Sequence, residues 1–324
     1  MESIRCNLCD SGQTDLLFSK KDKFRISEDD FDIVRCRSCG LLYINPRPTQ
    51  EEIIRFYPET YSWKENLPAG SFFTGIIRKA EKTYRQHLLN YEVNKVLRFT
   101  GIQNGKVLDI GCGPGDRLDI FRKKGFDAYG IEISSSARYA KEKLGLNVFE
   151  GNLDGANYPD NFFDIVTLYN VLEHVHNPRQ LLQIIKRIIK NEGSLVIQVP
   201  NTDSWQLKIF KERWSAFDVP RDLYYFNPDI LSRILQREGF EPVKISRFNN
   251  WWHPPTIVTT LFPGLDPPLS WLAESNKEGR AMKRLFWIFW TLILPVFTFC
   301  ENLLGNSALI TTFSKVRRHL SREK

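Results

Sequence analysis

KVLDIGCGPG, residues 106–115, limits what this chain can fold into more than any other stretch. A short aliphatic run, Val107–Ile110, meets glycines at 111, 113 and 115, and a helical pattern follows around Leu118–Lys124. That order describes a strand, a tight turn and a helix N-terminus, a geometry in which a ligand can approach the backbone closely. The spacing excludes two familiar loops. A dinucleotide loop carries its third glycine at position 116, which is Asp116 here, and a P-loop needs a Gly-Lys-Ser/Thr that is absent. Glu132 stands 21 positions after Gly111, at the end of a second strand, AYGIEI. A carboxylate placed there can accept both hydroxyls of a ribose.

Two further stretches follow in order, EGNLDGANYPDNFFDIV at 150–166 and LYNVLEHVHNP at 168–178. With VLDIGCGPG and Glu132, they resemble the class I S-adenosylmethionine-dependent methyltransferases. The resemblance implies an α/β, Rossmann-like fold with a seven-stranded, mostly parallel sheet. It implies that the loop Gly111, Cys112, Gly113 and Gly115 wraps the methionine part of the cofactor and that Asp109 orders the loop. Glu132, with Ile133 beside it, would hold the ribose. Asn152 and Leu153 would lie at the adenine, although the family often has an acidic residue where Asn152 stands. Asn170 would close over the cofactor at the end of strand four. S-adenosylmethionine is a sulfonium cation without phosphate, so a pocket with Asp109 and Glu132 suits it better than a lysine-bearing loop.

The alternation of strand and helix patterns from Lys106 onward independently predicts a mostly parallel sheet covered on both faces. Strands are expected near 106–110, 128–132, 147–150, 163–168, 194–199 and 241–248. A last antiparallel strand is expected at 307–316, between strands five and six. Pro178–Lys190 reads as a helix with Leu181, Leu182, Ile184, Ile185, Ile188 and Ile189 inward, ended by Asn191-Glu-Gly193. Pro228–Glu238 reads as a second, closed by Gly239, and Phe72–Phe99 as a long amphipathic helix before the first strand. The expected division is a zinc-ribbon-like module and linker at 1–60, the methyltransferase core at 61–250, an apolar helical insertion at 251–305, and the final strand with a basic tail at 306–324.

Four of the six cysteines form two knuckles, Cys6-Asn-Leu-Cys9 and Cys36-Arg-Ser-Cys39. Paired Cys-x-x-Cys turns can direct four thiolates at one tetrahedral zinc ion, and Gly40 eases the second turn. With all four positions filled by protein, such a zinc is structural. The spacer can hold a hairpin, LLFSK against FDIVRC, around a charged tip at Lys20–Lys23. The start, MESIRCNLCD, holds no apolar signal segment, so a reducing cytoplasm is the expectation, and there paired cysteines favour metal over disulfides. Cys112 and the isolated Cys300 read as packing thiols.

Methyl transfer is an in-line displacement, so positioning supplies much of the rate, and a hydroxyl acceptor also needs a base. Acceptor-side residues are expected after strands four and five. His174 is one candidate base, since histidine can be neutral at pH 7; the alternative is that it braces its loop. DVPRDLYYF, 218–226, resembles a family stretch that often reads D-x-P-R-H-L-Y-x-F, with Asp222 where the histidine stands. Asp222 or Asp218 could serve as base there, with Arg221 orienting an anionic acceptor and Tyr224 and Tyr225 lining the pocket. A buried, aromatic packing segment is the alternative. No acidic cluster suggests a catalytic metal.

Residues 284–300, RLFWIFWTLILPVFTFC, hold sixteen uncharged positions after Arg284, short of the roughly 20 that span a bilayer, with Pro295 interrupting. A single crossing would also strand the last β-strand on the wrong side of the membrane. The run is therefore expected to lie in a membrane interface, to form a shallow hairpin with Pro254–Leu272, or to pack as an insertion or homodimer surface. Nine Lys/Arg against three Asp/Glu between Lys277 and Lys324 place nearly all of the net charge of +7 around it, which favours anionic lipid. The same clustering leaves no basic face on the main domain, so nucleic acid is not an expected partner. Zinc knuckles ahead of such a domain resemble bacterial methyltransferases that tailor polysaccharides, lipid-linked sugars or metabolites. The expected activity is O-methylation of a sugar, glycan or lipid-linked acceptor by an enzyme of the cytoplasm, peripheral on the inner face of the membrane through 254–304. A soluble metabolite or nucleotide sugar, methylated at oxygen or carbon, is the second reading. A non-catalytic binding module is the third.

Overall fold

Aliphatic strands alternating with one-sided helices build a seven-stranded sheet in the order β10-β11-β8-β7-β4-β5-β6. Its strands are β4 (Lys106–Ile110), β5 (Asp127–Glu132), β6 (Asn147–Glu150), β7 (Phe163–Tyr169), β8 (Ile189–Pro200), β10 (Phe240–Ser246) and β11 (Leu309–Val316). The computed structural model describes residues 1–57, 72–247, 256–261, 263 and 305–317. Strands β6, β5, β4, β7 and β8 pair in parallel, whereas β10 and β11 are antiparallel. This is the Rossmann-like methyltransferase architecture expected, with β11 between strands five and six of the sheet. After β4 the chain builds outward to β5 and β6, then returns to the other side of β4 with β7. Sheets of this kind open a crevice where the order reverses, outside the carboxyl ends of the strands.

Two compact units emerge, Met1–Lys64 with Pro200–Asn227 and Arg247–Ile310, and Glu65–Val199 with Pro228–Ser246 and Thr311–Lys324. The core of the second gathers Val93, Val96 and Leu97 of helix α1 (Phe72–Thr100) with Val107, Leu118, Phe121, Ile165 and Val196. Helix α4 (Pro178–Ile188) starts where Asn177 accepts the Gln180 amide at 3.2 Å with Pro178 at the first position, and it buries Leu181, Leu182, Ile185 and Ile188. Its end differs from the sequence expectation. Asn191–Gly193 do not terminate the helix but lie within β8, which begins at Ile189. The amides of Asn161 and Phe162 donate to the carbonyls of Arg187 and Ile188 at 3.0 and 2.7 Å, drawing the chain into the sheet two residues early.

In the first unit, β1 (Thr14–Lys21), β2 (Asp30–Cys36), β3 (Leu42–Ile44) and β9 (Tyr224–Tyr225) form an antiparallel sheet in that order. Residues paired directly across strands share a face. Val34, Tyr43 and Tyr224 therefore point with Cys36 to one side. Ile33, Leu42, Ile44 and Tyr225 turn to the other, onto Trp214, Phe217 and Phe56. The β1–β2 hairpin is as expected but its tip is not: Lys20 and Lys21 still belong to β1. Burial pushes the Lys20 ammonium down to about 8, with the neighbouring Lys23 charge adding to the effect. Beyond the hairpin, Asp22 is almost fully buried and accepts the Phe24 and Ile26 amides at 3.2 and 2.7 Å.

Asp22 also meets Arg221, at 2.9 Å, with neither side chain exposed. Arg221 reaches Asp218 through Nε and Nη2 at 3.0 and 2.6 Å, the Phe56 carbonyl through Nη1 at 2.7 Å, and the Val219 carbonyl at 3.0 Å. Its guanidinium lies 4.1 Å from the centre of the Phe24 ring. One side chain thus ties the hairpin, the segment after β3 and the 218–222 turn. Among the described residues no helix is long and apolar enough to cross a membrane. The run 285–300, Cys300 included, lies outside the described residues.

Removing one partner of a buried ion pair leaves the other charge unsolvated, at a cost of about 3–5 kcal/mol. Arg221→Met is expected to destabilise the first unit by that amount, read as an early unfolding transition in urea, while Arg213→Met on the surface shifts nothing measurable.

Candidate functional site

The glycine loop adopts a backbone that side chains resist. Gly111, Gly113 and Gly115 have φ of 69°, 54° and 86°, in the left-handed region that costs other residues about 1–2 kcal/mol. The amides of Gly111 and Cys112 both donate to the Ile131 carbonyl, at 2.8 and 3.0 Å, which pins the loop to the end of β5. Two of the glycines are also sterically required. A Cβ on Gly111 would come within 2.4 Å of Val171 Cγ2, and one on Gly115 within 2.5 Å of Leu146 Cδ1. Gly113 differs, because a Cβ there would meet nothing within 4 Å. Its outward side is open space beside a turn that opens helix α2 (Asp116–Lys123).

Glu132 closes the loop from the neighbouring strand end. Its Oε2 accepts the Gly113 amide at 2.8 Å and its Oε1 accepts the Ser134 amide at 2.7 Å. Each oxygen keeps a further lone pair for a ligand hydroxyl. Ile133, next in sequence, is 70% exposed, an apolar surface beside that carboxylate. Asn152 precedes a 3₁₀ turn, Leu153–Ala156, and its carbonyl accepts the Gly155 amide at 3.2 Å, while Leu153 is buried. Cys112 is buried too; burial and the Asp109 and Glu132 charges push its thiol up, the state of a packing thiol. Glu132 thus sets a carboxylate beside the open side of Gly113, an arrangement that fits a nucleoside with free ribose hydroxyls.

Asp109 lies one layer beneath. It is 1% exposed; Oδ1 accepts the Thr167 hydroxyl at 2.6 Å, and Oδ2 accepts no hydrogen bond among the described residues. At the end of β7, Asn170 has φ of 53°, its amide donates to the Gln198 carbonyl at 2.9 Å, and its buried Oδ1 likewise accepts nothing. His174 ends a 3₁₀ turn, Leu172–His174, in the loop that follows, where its amide donates to Val171 at 3.0 Å. Sequence reasoning passed over Arg117 and Glu92, which join this group. Arg117 donates from Nη2 to Glu92 at 3.0 Å, places Nη1 3.7 Å from Asp109 and stacks 3.5 Å from the centre of the Tyr169 ring. A signal was available: an arginine on the first turn of a helix opposes the helix dipole and needs compensation.

The other expected residues fall in the first unit. Asp218 is engaged by Arg221, the Asp222 amide donates to the Asp218 carbonyl at 2.9 Å, and Asp222 is 3% exposed. The Tyr224 hydroxyl accepts Arg47 Nη1 at 2.8 Å, and burial pushes that phenol up to about 12. Residues Leu223 to Phe226 are all within 1% of full burial. Arg221, expected to orient an anionic acceptor, is instead a wholly enclosed brace whose donors are spent on Asp22, Asp218 and backbone carbonyls.

Cys6, Cys9, Cys36 and Cys39 bring their sulfurs within 4.8 Å of one another, with Cys6–Cys39 at 3.4 Å and Cys9–Cys36 at 3.5 Å. Disulfides require about 2.05 Å. Four thiolates at about 2.3 Å from a tetrahedral zinc lie about 3.8 Å apart, so the set fits such an ion. The two knuckles are built alike. Asp10 and Gly40, at φ of 61° and 83°, donate their amides to the carbonyls of Cys6 and Cys36 four residues earlier, at 2.8 and 2.9 Å. Burial raises the Cys6 thiol and takes Cys39 to about 11. At Cys36 burial is outweighed by the Cys39 and Ser38 amides and the Cys9 thiol, bringing it to about 7.

Several known proteins are similar to this chain. A ubiquinone biosynthesis O-methyltransferase of Glaesserella parasuis is 28% identical over 178 residues, 48% of this chain and 75% of that protein. Its counterpart in Azoarcus sp. is 26% identical over 193 residues, 55% of this chain and 81% of that protein. A solved S-adenosylmethionine-dependent methyltransferase from Archaeoglobus fulgidus superimposes with a TM-score of 0.45 at 20% identity, covering 71% of this chain and 94% of that one. The family described as "Methyltransferase domain" matches residues 82–245, from within α1 to within β10 and just over half of the 324 residues. The chain belongs to that family, as a class I S-adenosylmethionine-dependent methyltransferase.

Proposed function

We propose that this methyltransferase carries the methyl group of S-adenosylmethionine to an oxygen of a sugar, glycan or lipid-linked acceptor, and that a zinc ion held by Cys6, Cys9, Cys36 and Cys39 stabilises its first unit. The observation that supports the cofactor site best is the Glu132 carboxylate tied into the glycine loop beside the open face of Gly113. Glu132 holds the ribose hydroxyls, Ile133 and Leu153 flank the adenine with Asn152, and Gly111 to Gly115 give the methionine part close access to backbone. Asp109 and Asn170 supply acceptors for its ammonium end. When bound, S-adenosylmethionine supplies an electrophilic methyl group on a sulfonium.

The protein's own task is then to orient the acceptor and remove one proton from its hydroxyl. His174 is the base proposed, because it lies in the loop after β7, at the end of the sheet that carries the glycine loop. Asp218, Asp222 and Tyr224 stay secondary candidates, since Asp218 and Tyr224 already hold Arg221 and Arg47. Oxygen as the receiving atom is supported by relatives named as O-methyltransferases. The lipid-linked or glycan class rests on the apolar 285–300 run and its basic flanks.

Incubating the protein with methyl-labelled cofactor and either total membranes or soluble extract tests the acceptor. Label in a lipid or glycan fraction supports the proposal; label confined to small soluble products overturns it for the metabolite reading. Glu132→Gln is expected to weaken cofactor binding on the order of 10- to 100-fold, the loss of hydrogen bonds to a charged group worth about 1.5–3 kcal/mol. Titration calorimetry measures it, and undiminished affinity would remove Glu132 from the site. Purified protein should hold one zinc per chain by elemental analysis, lost in Cys36→Ser along with thermal stability.

A further inference from the structure

Arg117 is the least expected charge near the cofactor site. It is the second residue of α2, two positions past the glycine loop, where the helix dipole disfavours a cation. It is nonetheless nearly enclosed, with 13% of its side chain exposed. Its neighbours come from three elements: Glu92 of α1 at 3.0 Å, Asp109 of β4 at 3.7 Å, and the Tyr169 ring of β7 at 3.5 Å. A second pair on the same helix face, Arg85 to Asp116 at 3.1 Å, repeats the link from α1 to α2. Glu92 satisfies one end of the guanidinium through a hydrogen bond, whereas Asp109 receives only its charge, since Oδ2 accepts no hydrogen bond among the described residues.

Asp109 needs that charge. Burial pushes its carboxyl up; Arg117 and the Thr167 hydroxyl work against burial, while Glu92 and Glu132 add to it. The groups around it are thus one cation, Arg117, two carboxylates, Glu92 and Glu132, the Tyr169 ring and the buried Cys112 thiol. Resting on the cofactor reading above, we infer that Arg117 is a positioning residue that acts through Asp109. Its guanidinium holds Asp109 as a carboxylate whose free Oδ2, with Asn170 Oδ1 on the adjacent strand, receives the ammonium of the cofactor's amino-acid end. Arg117 itself makes no contact with the cofactor in this arrangement.

The consequence is a pH signature that a purely structural arginine would not have. With Arg117 in place, its guanidinium works against the upward push of burial on Asp109, and affinity is expected to stay flat across neutral pH. Without it, only the Thr167 hydroxyl works against burial, and binding is lost as pH falls through the further raised carboxyl value, by about tenfold per unit below it. Calorimetric titration of the full chain with S-adenosylmethionine at pH 6, 7 and 8 reads this. The wild type should vary less than threefold, Arg117→Met should bind at least tenfold more weakly at pH 6 than at pH 8, and Asp109→Asn in that background should be weak and flat. Arg117→Lys, which keeps the charge but not the fork, should stay flat. A uniform loss at all three pH values in Arg117→Met, or pH dependence in Arg117→Lys, overturns the inference and leaves the cofactor site intact. Absence of binding by the wild type overturns the cofactor reading with it. Should Arg117→Met not fold, Arg117→Gln carries the same test.

Discussion

A hydrogen bond of 2.6 Å from Thr167 to Asp109 crosses the two central strands at the point where the sheet changes direction. Much else depends on it. It ties β4 to β7 just before the glycine loop and Asn170 begin. Both partners are buried, so the bond is made in surroundings that strengthen it and punish its loss. Above it the Ile131 carbonyl and the Glu132 carboxylate hold the loop from the β5 side, so the cradle is framed by three adjacent strand ends.

The parts of the fold that repeat a local rule were legible in the sequence. Period-3.6 apolar spacing located α4, strand-turn-glycine spacing located the loop, and paired Cys-x-x-Cys turns located the four sulfurs. The overextended helix at 190 shows where local rules stop. Asn-Glu-Gly reads as a helix end, but the two hydrogen bonds that pull Ile189 into the sheet come from Asn161 and Phe162. The partners of Arg117 were invisible for the same reason. Its partner Glu92 lies 25 residues upstream and Tyr169 on another strand, contacts that no window of sequence contains. For 218–226 the sequence left two readings open, an acceptor pocket and a buried aromatic segment; the burial of Leu223 to Phe226 and the Asp22–Arg221 pair accord with the second for those residues.

The small sheet of the first unit divides its labour by face. One side presents Cys36, Tyr43 and Tyr224; the other packs Ile33, Leu42, Ile44 and Tyr225 against Trp214 and Phe217. A four-sulfur site and an apolar core therefore share one set of backbone hydrogen bonds. The short strand β9 completes both, because its two tyrosines point to opposite faces.

Neither unit is continuous in the chain. Tyr43 finds its strand partner at Tyr224, and the central strand β8 has β11, from Leu309 onward, beside it. During synthesis the first 200 residues therefore cannot close either core. The cysteine knuckles and the parallel strands around the glycine loop can form early, yet β8 keeps an unpaired edge until β11 arrives. For this protein β11 is a latch, set well after the strand that it closes has been made. Its absence from a truncated product would leave an edge open to another chain rather than a smaller working enzyme.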